Sequence, residues 1–310
     1  MEFDLENPIT DSQDHHHHQY SSLFLSESDH MPLQQYYIGK VSDFDISVRQ
    51  ETIPYILHIC CSCNLGPFVS YLAINYLDRF LSSQGILQSN KPWVFKLIAM
   101  SCVSLAVKMK KTEFSVTDFQ VDGGLIFDVQ TIERMEYIIL DALKWRMRSI
   151  TPFSFISLFL SFFKLKDPPL LQALKARAIE IIFKAQNDTN LLWFKPSVIA
   201  GSALLSASHE LFPLQFSCFN KAISNYSYVN KETLSQCYKL MQEVVVNEYQ
   251  SKLDTWSSCD TTVNVLDKQF SSSQSDETTM NMLIKRREMK GDYDCSSSNQ
   301  TVKISQIEYC

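Results

Sequence analysis

The segment from Lys91 to Met109 constrains the fold most, because it is apolar or small on nearly every side. A helix with this pattern cannot turn a polar face to water and has to be surrounded by other elements. The sequence therefore predicts a helix at the centre of a bundle. Its apolar and small residues include Leu97, Ile98, Ala99, Met100, Cys102, Val103, Leu105, Ala106 and Val107.

Four further segments near this helix also have helical patterns. Only 7 of the 310 residues are glycine, so tight turns between strands are scarce and an all-α chain is favoured. Pro54 lies inside the first segment, and we expect a kink or a new helix start there because proline lacks the N–H group. Asp128 is a suitable N-cap for the last segment. The predicted segments are 45–65, 67–83, 115–121 and 129–145, in addition to 91–109.

A second series of helices follows a linker at residues 146–150. Thr151 followed by Pro152 is typical of a helix start. The stretch from Ser197 to Ser208 is rich in small residues, which suits a central helix on which its neighbours pack closely. Two successive units of about one hundred residues, each with five helices, indicate a structural repeat. The predicted helices of the second unit are 152–163, 168–187, 196–212, 214–226 and 231–252.

The predicted architecture is all-α, with two tandem five-helix bundles between polar segments. The bundles are assigned to residues 45–150 and 151–252. Residues 1–44 are polar and irregular, and residues 253–310 are polar with an excess of Ser, Thr, Asp and Asn early on. Both terminal segments are predicted to be disordered, because such compositions bury too little apolar surface to fold.

Composition and motifs argue against several classes of function. The net charge of -6 and the lack of a basic face argue against nucleic-acid binding. Neither a membrane-spanning run nor a signal peptide is expected, so the predicted compartment is the cytosol or nucleus. No Gly-rich phosphate loop, His-Glu-x-x-His motif or Gly-x-Ser-x-Gly turn is present, so we predict neither an enzyme nor a cofactor. Cys60, Cys61 and Cys63 lack a second ligand pair at zinc spacing, so no metal site is predicted.

One amphipathic helix carries an adjacent Asp-Arg pair. In the segment from Tyr71 to Ser82, the side chains of Asn75, Asp78 and Arg79 fall together on one side. Periodicity alone predicts that this polar side faces solvent while the other side faces the core.

Another helix places a carboxylate on its apolar line. Glu136 falls between Ile132 and Ile139. Burying it alone would cost several kcal/mol, so it must find a cation, find backbone donors or face a partner protein. Lys108, at the end of the central helix, is the candidate cation. The residues leave two alternatives open, an internal ion pair and an interface site.

The order of these segments resembles the cyclin box. The resemblance is carried by Val48 to Glu51, Asn75 to Leu81, Leu105 to Lys110 and Glu133 to Glu136. The junction from Leu143-Lys144-Trp145 to Thr151-Pro152-Phe153 is similar to that of plant D-type cyclins. The resemblance covers residues 48–250 and implies two tandem cyclin boxes. It also implies structural roles for Arg49, Asp78 and Arg79.

The resemblance implies a regulatory subunit that binds and activates a cyclin-dependent kinase, and so promotes the G1/S transition and cell division. Lys108 and Glu136 would meet the kinase, which favours the interface alternative for this pair. Kinase inhibitors are further expected partners, and the expected location is the nucleus and also the cytoplasm. The alternative function is a cyclin-fold scaffold that binds partners without activating a kinase.

The chain departs from the family pattern in several places. D-type cyclins carry Leu-x-Cys-x-Glu for retinoblastoma-type proteins, whereas Leu23, Leu25 and Glu27 form a degenerate version with leucine in place of the cysteine. We therefore expect weak or absent retinoblastoma binding. Tyr55 replaces a tryptophan of the patch that docks Arg-x-Leu substrates, so that docking is also in question. Lys285, Arg286 and Arg287 are consistent with a nuclear-import signal or with a solvated tail.

Overall fold

The computed structural model describes residues 16–33, 43–83, 91–111, 127–163, 165 and 167–257. These residues form ten α-helices and two short 3₁₀ helices, with no strand in the described part of the chain. The predicted all-α class is therefore confirmed. The α-helices are α1 His16–Ser26, α2 Asp43–Ser62, α3 Pro67–Ser83, α4 Pro92–Lys110, α5 Val129–Ala142, α6 Phe153–Phe162, α7 Pro168–Ala185, α8 Pro196–Leu211, α9 Phe216–Ser224 and α10 Lys231–Ser257.

The first bundle is built on α4, which packs against α2, α3 and α5. By length and composition alone α4 is apolar enough to cross a bilayer, but two thirds of its apolar window, 67%, is buried inside the bundle. α3 has the predicted bounds. α2 differs from the prediction, because it continues through Pro54 as one helix and the proline side chain is exposed. The predicted helix at 115–121 lies outside the described residues.

The second bundle is built on α8, which packs against α6, α7 and α9. Its small residues allow the close approach that the sequence indicates. A Cβ atom on Gly201 would lie 3.1 Å from Leu234 Cδ1 and 3.3 Å from Ile223 Cγ2. Five helices, α6 to α10, form this bundle as predicted.

The polar side of α3 is buried, so the prediction of a solvated face is wrong. Asp78 is 3% exposed and Arg79 is 4% exposed. The two adjacent side chains have different partners. Asp78 accepts from Arg49 of α2, with 2.7 Å from Nε to Oδ1 and 3.2 Å from Nη2 to Oδ2. Periodicity could not identify these partners, because they lie in distant segments.

Arg49 also joins the first bundle to the second. Its guanidinium donates to the carbonyl oxygens of Gln186, at 2.6 Å, and Asn187, at 3.1 Å, just beyond the end of α7. Carbonyls at a helix C-terminus lack intrahelical donors and carry partial negative charge, so a cation is favourable there. In the other direction across the domains, Nε2 of Gln186 donates to the carbonyl of Tyr71 in α3 at 2.8 Å.

Arg79 fixes the linker between the bundles. Its Nη1 donates to the carbonyl of Arg146 at 3.0 Å and to Oγ of Ser149 at 2.9 Å. One turn earlier on α3, the hydroxyl of Tyr76 donates to the carbonyl of Met147 at 2.6 Å. Burial lowers the pKa of Arg79 to about 10, which leaves the guanidinium charged near neutral pH. The linker therefore follows α3 through side-chain contacts that sequence reasoning did not assign.

The N-terminal segment needs a correction. Residues 1–44 are predicted to be disordered, but within this range α1 and the 3₁₀ helix Glu27–His30 are folded. Residues 1–15 and 34–42 lie outside the described part of the chain. Tyr20 and Phe24 belong to the apolar core of the second bundle. At the other end of the segment, the Leu33 N–H donates to Oγ of Ser82 in α3. For residues 16–33 the prediction is wrong, because a short segment of mixed composition gains its order from tertiary contacts and not from its own pattern.

Replacing Arg49 with alanine tests the importance of the buried pair. We expect a loss of about 3–5 kcal/mol in the free energy of unfolding, because Asp78 is then left as an uncompensated buried charge. The control is Asp29→Ala, since Asp29 pairs with Arg146 in an exposed ion pair. The control should lose less than about 1 kcal/mol. Urea unfolding of both variants measures the difference, and similar losses would contradict the assignment.

His30 predicts a pH dependence of stability. Burial first, then the nearby cations Arg79 and Arg146, lower the pKa of His30 to about 4, against a smaller opposing effect of Asp29. Its Nδ1 has no hydrogen-bond partner within the described residues. The unfolded chain binds this proton at its ordinary pKa of 6.5, so stability falls as pH drops from about 6.5 towards about 4.

The comparison is made between the wild type and His30→Gln, with urea unfolding at about pH 4.5 and about pH 7.5. We expect the variant to lose less stability than the wild type on acidification. An identical pH dependence in the two proteins would show that His30 does not carry the effect.

Candidate functional site

The candidate site is an ion pair at the edge of the first bundle. Nζ of Lys108 lies 2.7 Å from Oε1 and 2.6 Å from Oε2 of Glu136, so the ammonium contacts both carboxylate oxygens. The Glu136 side chain is 8% exposed, whereas the Lys108 side chain is 52% exposed. The pair is thus formed inside the chain, and its cationic half remains accessible from outside.

Two helices position this pair. α4 ends at Lys110, and its C-cap, the left-handed Lys111, donates its N–H to the carbonyls of Lys108 and Val107. Asp128 is the N-cap of α5, and its side chain accepts from the Thr131 N–H at 3.2 Å. The fully buried Ile132 and Ile139 then fix the rotation of α5 and place Glu136 at the border between core and surface.

Large apolar side chains are exposed close to Glu136 in the sequence. Tyr137 and Ile138 follow it on α5 and are 64% and 49% exposed. Trp145, just after α5, is 63% exposed. Exposed large apolar side chains of this kind are candidates for contact with a partner.

The end of α5 holds Trp145 in an unusual backbone conformation. Lys144 and Trp145 both have positive φ, of 52° and 59°. Their N–H groups donate to the carbonyls of Asp141 and Leu140 at 2.9 Å each. The sequence pattern predicts Trp145 as the last residue of this helix and indicates no site role for it. The sequence signal for an exposed position here is that Trp145 lies between two basic residues, Lys144 and Arg146.

Residues 18–148 match the family description "Cyclin, N-terminal domain", and residues 150–273 match "Cyclin, C-terminal domain". The chain belongs to the cyclin family. This cyclin is 49% identical to "Putative cyclin-D6-1" of Arabidopsis thaliana, over 90% of this chain and 94% of the relative. It is 35% identical to cyclin-D6-1 of Oryza sativa subsp. japonica, over 90% of this chain and 85% of that protein. The resemblance to plant D-type cyclins is therefore confirmed.

Solved structures agree on the fold. A viral cyclin from herpesvirus saimiri superposes with a TM-score of 0.56 at 20% identity, covering 72% of this chain and 96% of that one. A chain of the CAK complex from Chaetomium thermophilum, bound to ATP-gamma-S, has a TM-score of 0.51 at 16% identity and 78% coverage of each chain. The two bundles of this cyclin are thus two tandem cyclin domains.

The degenerate retinoblastoma motif is folded in this cyclin. Leu25 is 78% exposed, but Glu27 is only 1% exposed. Leu23 is partly buried against the core of the second bundle. The three residues are therefore not presented together on one accessible surface.

The expected docking patch for Arg-x-Leu substrates comprises Tyr55 together with Glu51, Thr52 and His58. Nζ of Lys96 lies 5.5 Å from the ring centroid of Tyr55, within the range of a cation–π contact. Thr52 is buried and its hydroxyl donates to the carbonyl of Val48. Glu51 and His58 are exposed. A cation thus lies over the aromatic ring that this cyclin offers at the patch.

The remaining site predictions concern cysteines and the C-terminal cations. Cys60 is buried, and burial raises the pKa of its thiol to about 12. Cys61 is exposed and Cys63 is partly exposed. The described ranges contain no group of three or more His, Cys, Asp or Glu that could hold a metal ion. The predicted import signal, Lys285 to Arg287, lies outside the described residues.

The Lys108–Glu136 pair should respond asymmetrically to mutation. Lys108→Ala leaves a largely buried carboxylate without its cation, and we expect a loss of about 1 kcal/mol in the free energy of unfolding. Glu136→Ala leaves Lys108 free to turn to water, so its cost should be smaller. The double variant should resemble Glu136→Ala. Urea unfolding of all three tests this order, and equal costs for the single variants would contradict it.

Proposed function

We propose that this cyclin is a regulatory subunit that binds a cyclin-dependent kinase and activates it. The observation that carries the proposal is the Lys108–Glu136 pair, which lies at the surface of the first cyclin domain with Lys108 half exposed. Tyr137 and Ile138 on α5 and Trp145 just after it are exposed, so this part of the first domain also offers apolar side chains to a partner. Aromatic residues are enriched among those that dominate binding energy at protein interfaces.

Activation by this route needs no catalytic group in the cyclin. The kinase carries its own Lys–Glu ion pair and Mg²⁺-binding Asp, and these must be in register for phosphoryl transfer. A partner that binds the active arrangement more tightly than the inactive one shifts the population towards activity. A shift from mostly inactive to mostly active requires a preference of about 5.5 kcal/mol.

The rigidity of the site matters for this preference. A surface that deformed to fit both kinase states would bind them equally and shift nothing. Glu136 is held between buried Ile132 and Ile139, and the Trp145 backbone is fixed by its bond to the Leu140 carbonyl. These constraints favour discrimination between the two kinase states.

The finer function follows from the similarity to plant D-type cyclins. We propose a role at the G1/S transition and in cell division, in the nucleus and also the cytoplasm, with kinase inhibitors as further partners. We propose no enzymatic activity for this chain. Retinoblastoma-type proteins are not expected partners, because Leu25 replaces cysteine and Glu27 is buried.

The proposal is tested by phosphorylation of a histone or retinoblastoma peptide by a co-purified cyclin-dependent kinase. We compare the wild type with the Lys108→Ala/Glu136→Ala double variant. We expect the wild type to stimulate the kinase and the double variant to lose both binding and stimulation. A double variant that still binds and stimulates as the wild type does would contradict the assigned site.

A matched control removes a second ion pair in the other domain. Nζ of Lys184 lies 2.6 Å from Oε1 of Glu180, and both residues are on α7. The Lys184→Ala/Glu180→Ala variant should stimulate the kinase as the wild type does.

If the wild type binds the kinase but leaves its rate unchanged, the function is that of a scaffold and not of an activator.

A further inference from the structure

Within the described segment 20–33, Glu27 is the least exposed acidic side chain, and it has specific partners in the second cyclin domain. Its Oε2 accepts from the backbone N–H of Ser197 at 2.9 Å, and its Oε1 accepts from Oγ of Ser197 at 3.0 Å. Nζ of Lys195 lies 3.7 Å from Oε1. Glu27 and Ser197 are 170 residues apart in the sequence.

These contacts supply what the start of α8 lacks. The N-cap of α8 is Lys195, which makes no side-chain capping bond and has no acceptor atom to offer. The first helical residue is Pro196, which has no N–H group. Ser197 therefore carries the first free N–H of the helix, and it is 1% exposed. Water cannot reach it easily, so a protein acceptor is needed.

An aromatic anchor holds Glu27 in this position. Phe24, one turn earlier, is 4% exposed. Its ring stacks on Tyr228, with centroids 4.9 Å apart and an interplanar angle of 14°. The centroid of Phe155 lies 4.8 Å away, and that of Tyr226 lies 5.6 Å away. Phe24 and Glu27 thus face the second domain, while Leu25 between them is exposed.

We propose that the segment 20–33 is an intramolecular ligand of the second cyclin domain, with Phe24 as its anchor and Glu27 as the N-cap of α8. The occupied surface consists of the aromatic side chains around Phe24 and the N-terminus of α8. One consequence concerns partner binding. The glutamate of the degenerate Leu-x-Leu-x-Glu string is engaged inside the chain, so a partner that needs this carboxylate must first displace the segment.

The proposal does not depend on kinase binding and is tested on the full chain alone. Hydrogen exchange at the first turn of α8 is compared among the wild type, Glu27→Ala and Leu25→Ala. In Glu27→Ala we expect the Ser197 amide to exchange about tenfold faster, as loss of one cap implies. Leu25→Ala, on the exposed side of the same segment, should exchange as the wild type does. Unchanged exchange in Glu27→Ala would overturn the proposal.

A second variant separates capping from packing. Phe24→Ala should accelerate exchange both in α1 and at Ser197, because the anchor positions the cap. If Phe24→Ala accelerates exchange at Ser197 and Glu27→Ala does not, the segment contributes packing only and the capping role is refuted. Circular dichroism confirms that each variant retains its helical content before exchange is measured.

The burial of Glu27 would mask the degenerate Leu-x-Leu-x-Glu string from a partner protein. This masking is tested by restoring the missing cysteine. Leu25→Cys changes an exposed residue and completes Leu-x-Cys-x-Glu. We expect the Leu25→Cys/Phe24→Ala chain to bind a retinoblastoma-type pocket protein at least about tenfold more tightly than Leu25→Cys alone. Without the Phe24 anchor, the state in which the segment has left the second domain and Glu27 is accessible is more populated. Equal affinities, including no detectable binding by either chain, would count against masking.

Discussion

The buried ion pair between Arg49 and Asp78 is the interaction on which the arrangement of the two cyclin domains depends. Both side chains are almost fully buried, and the same guanidinium reaches two carbonyls beyond the end of α7. Burying either charge without its partners would cost several kcal/mol. Arg49 is therefore satisfied only when α2, α3 and α7 are all in place, which fixes one register between the domains.

The chain uses a second ion pair in a different way. Lys108 and Glu136 are joined as closely as Arg49 and Asp78, but the lysine is half exposed. An exposed ammonium can exchange its contacts at little cost, whereas a buried guanidinium cannot. The difference in burial separates a pair that holds the fold from a pair that is suited to meet a partner. Each pair links two different helices, with partners 29 and 28 residues apart in the chain.

The N-terminal segment also provides a partner for a buried polar group, at the start of α8. α8 lies at the centre of the second domain, and its own first residues, Lys195 and Pro196, cannot cap it. Glu27 supplies the acceptor from a region that composition marked as a tail. A short helix of this kind is marginal in water and becomes ordered because its aromatic and acidic groups are buried elsewhere. The domain is thus completed by residues that precede both bundles.

The sequence by itself determined the helical class, the two central helices and most helix bounds, because apolar periodicity, proline starts and the Asp128 cap are local signals. It also brought forward Lys108 and Glu136, since a carboxylate on an apolar line requires a partner. Only the tertiary structure decided that Asp78 pairs with Arg49, that Arg79 holds the linker, that Trp145 is exposed and that Glu27 caps α8. Those outcomes depend on contacts between residues far apart in the chain, and no local period encodes them.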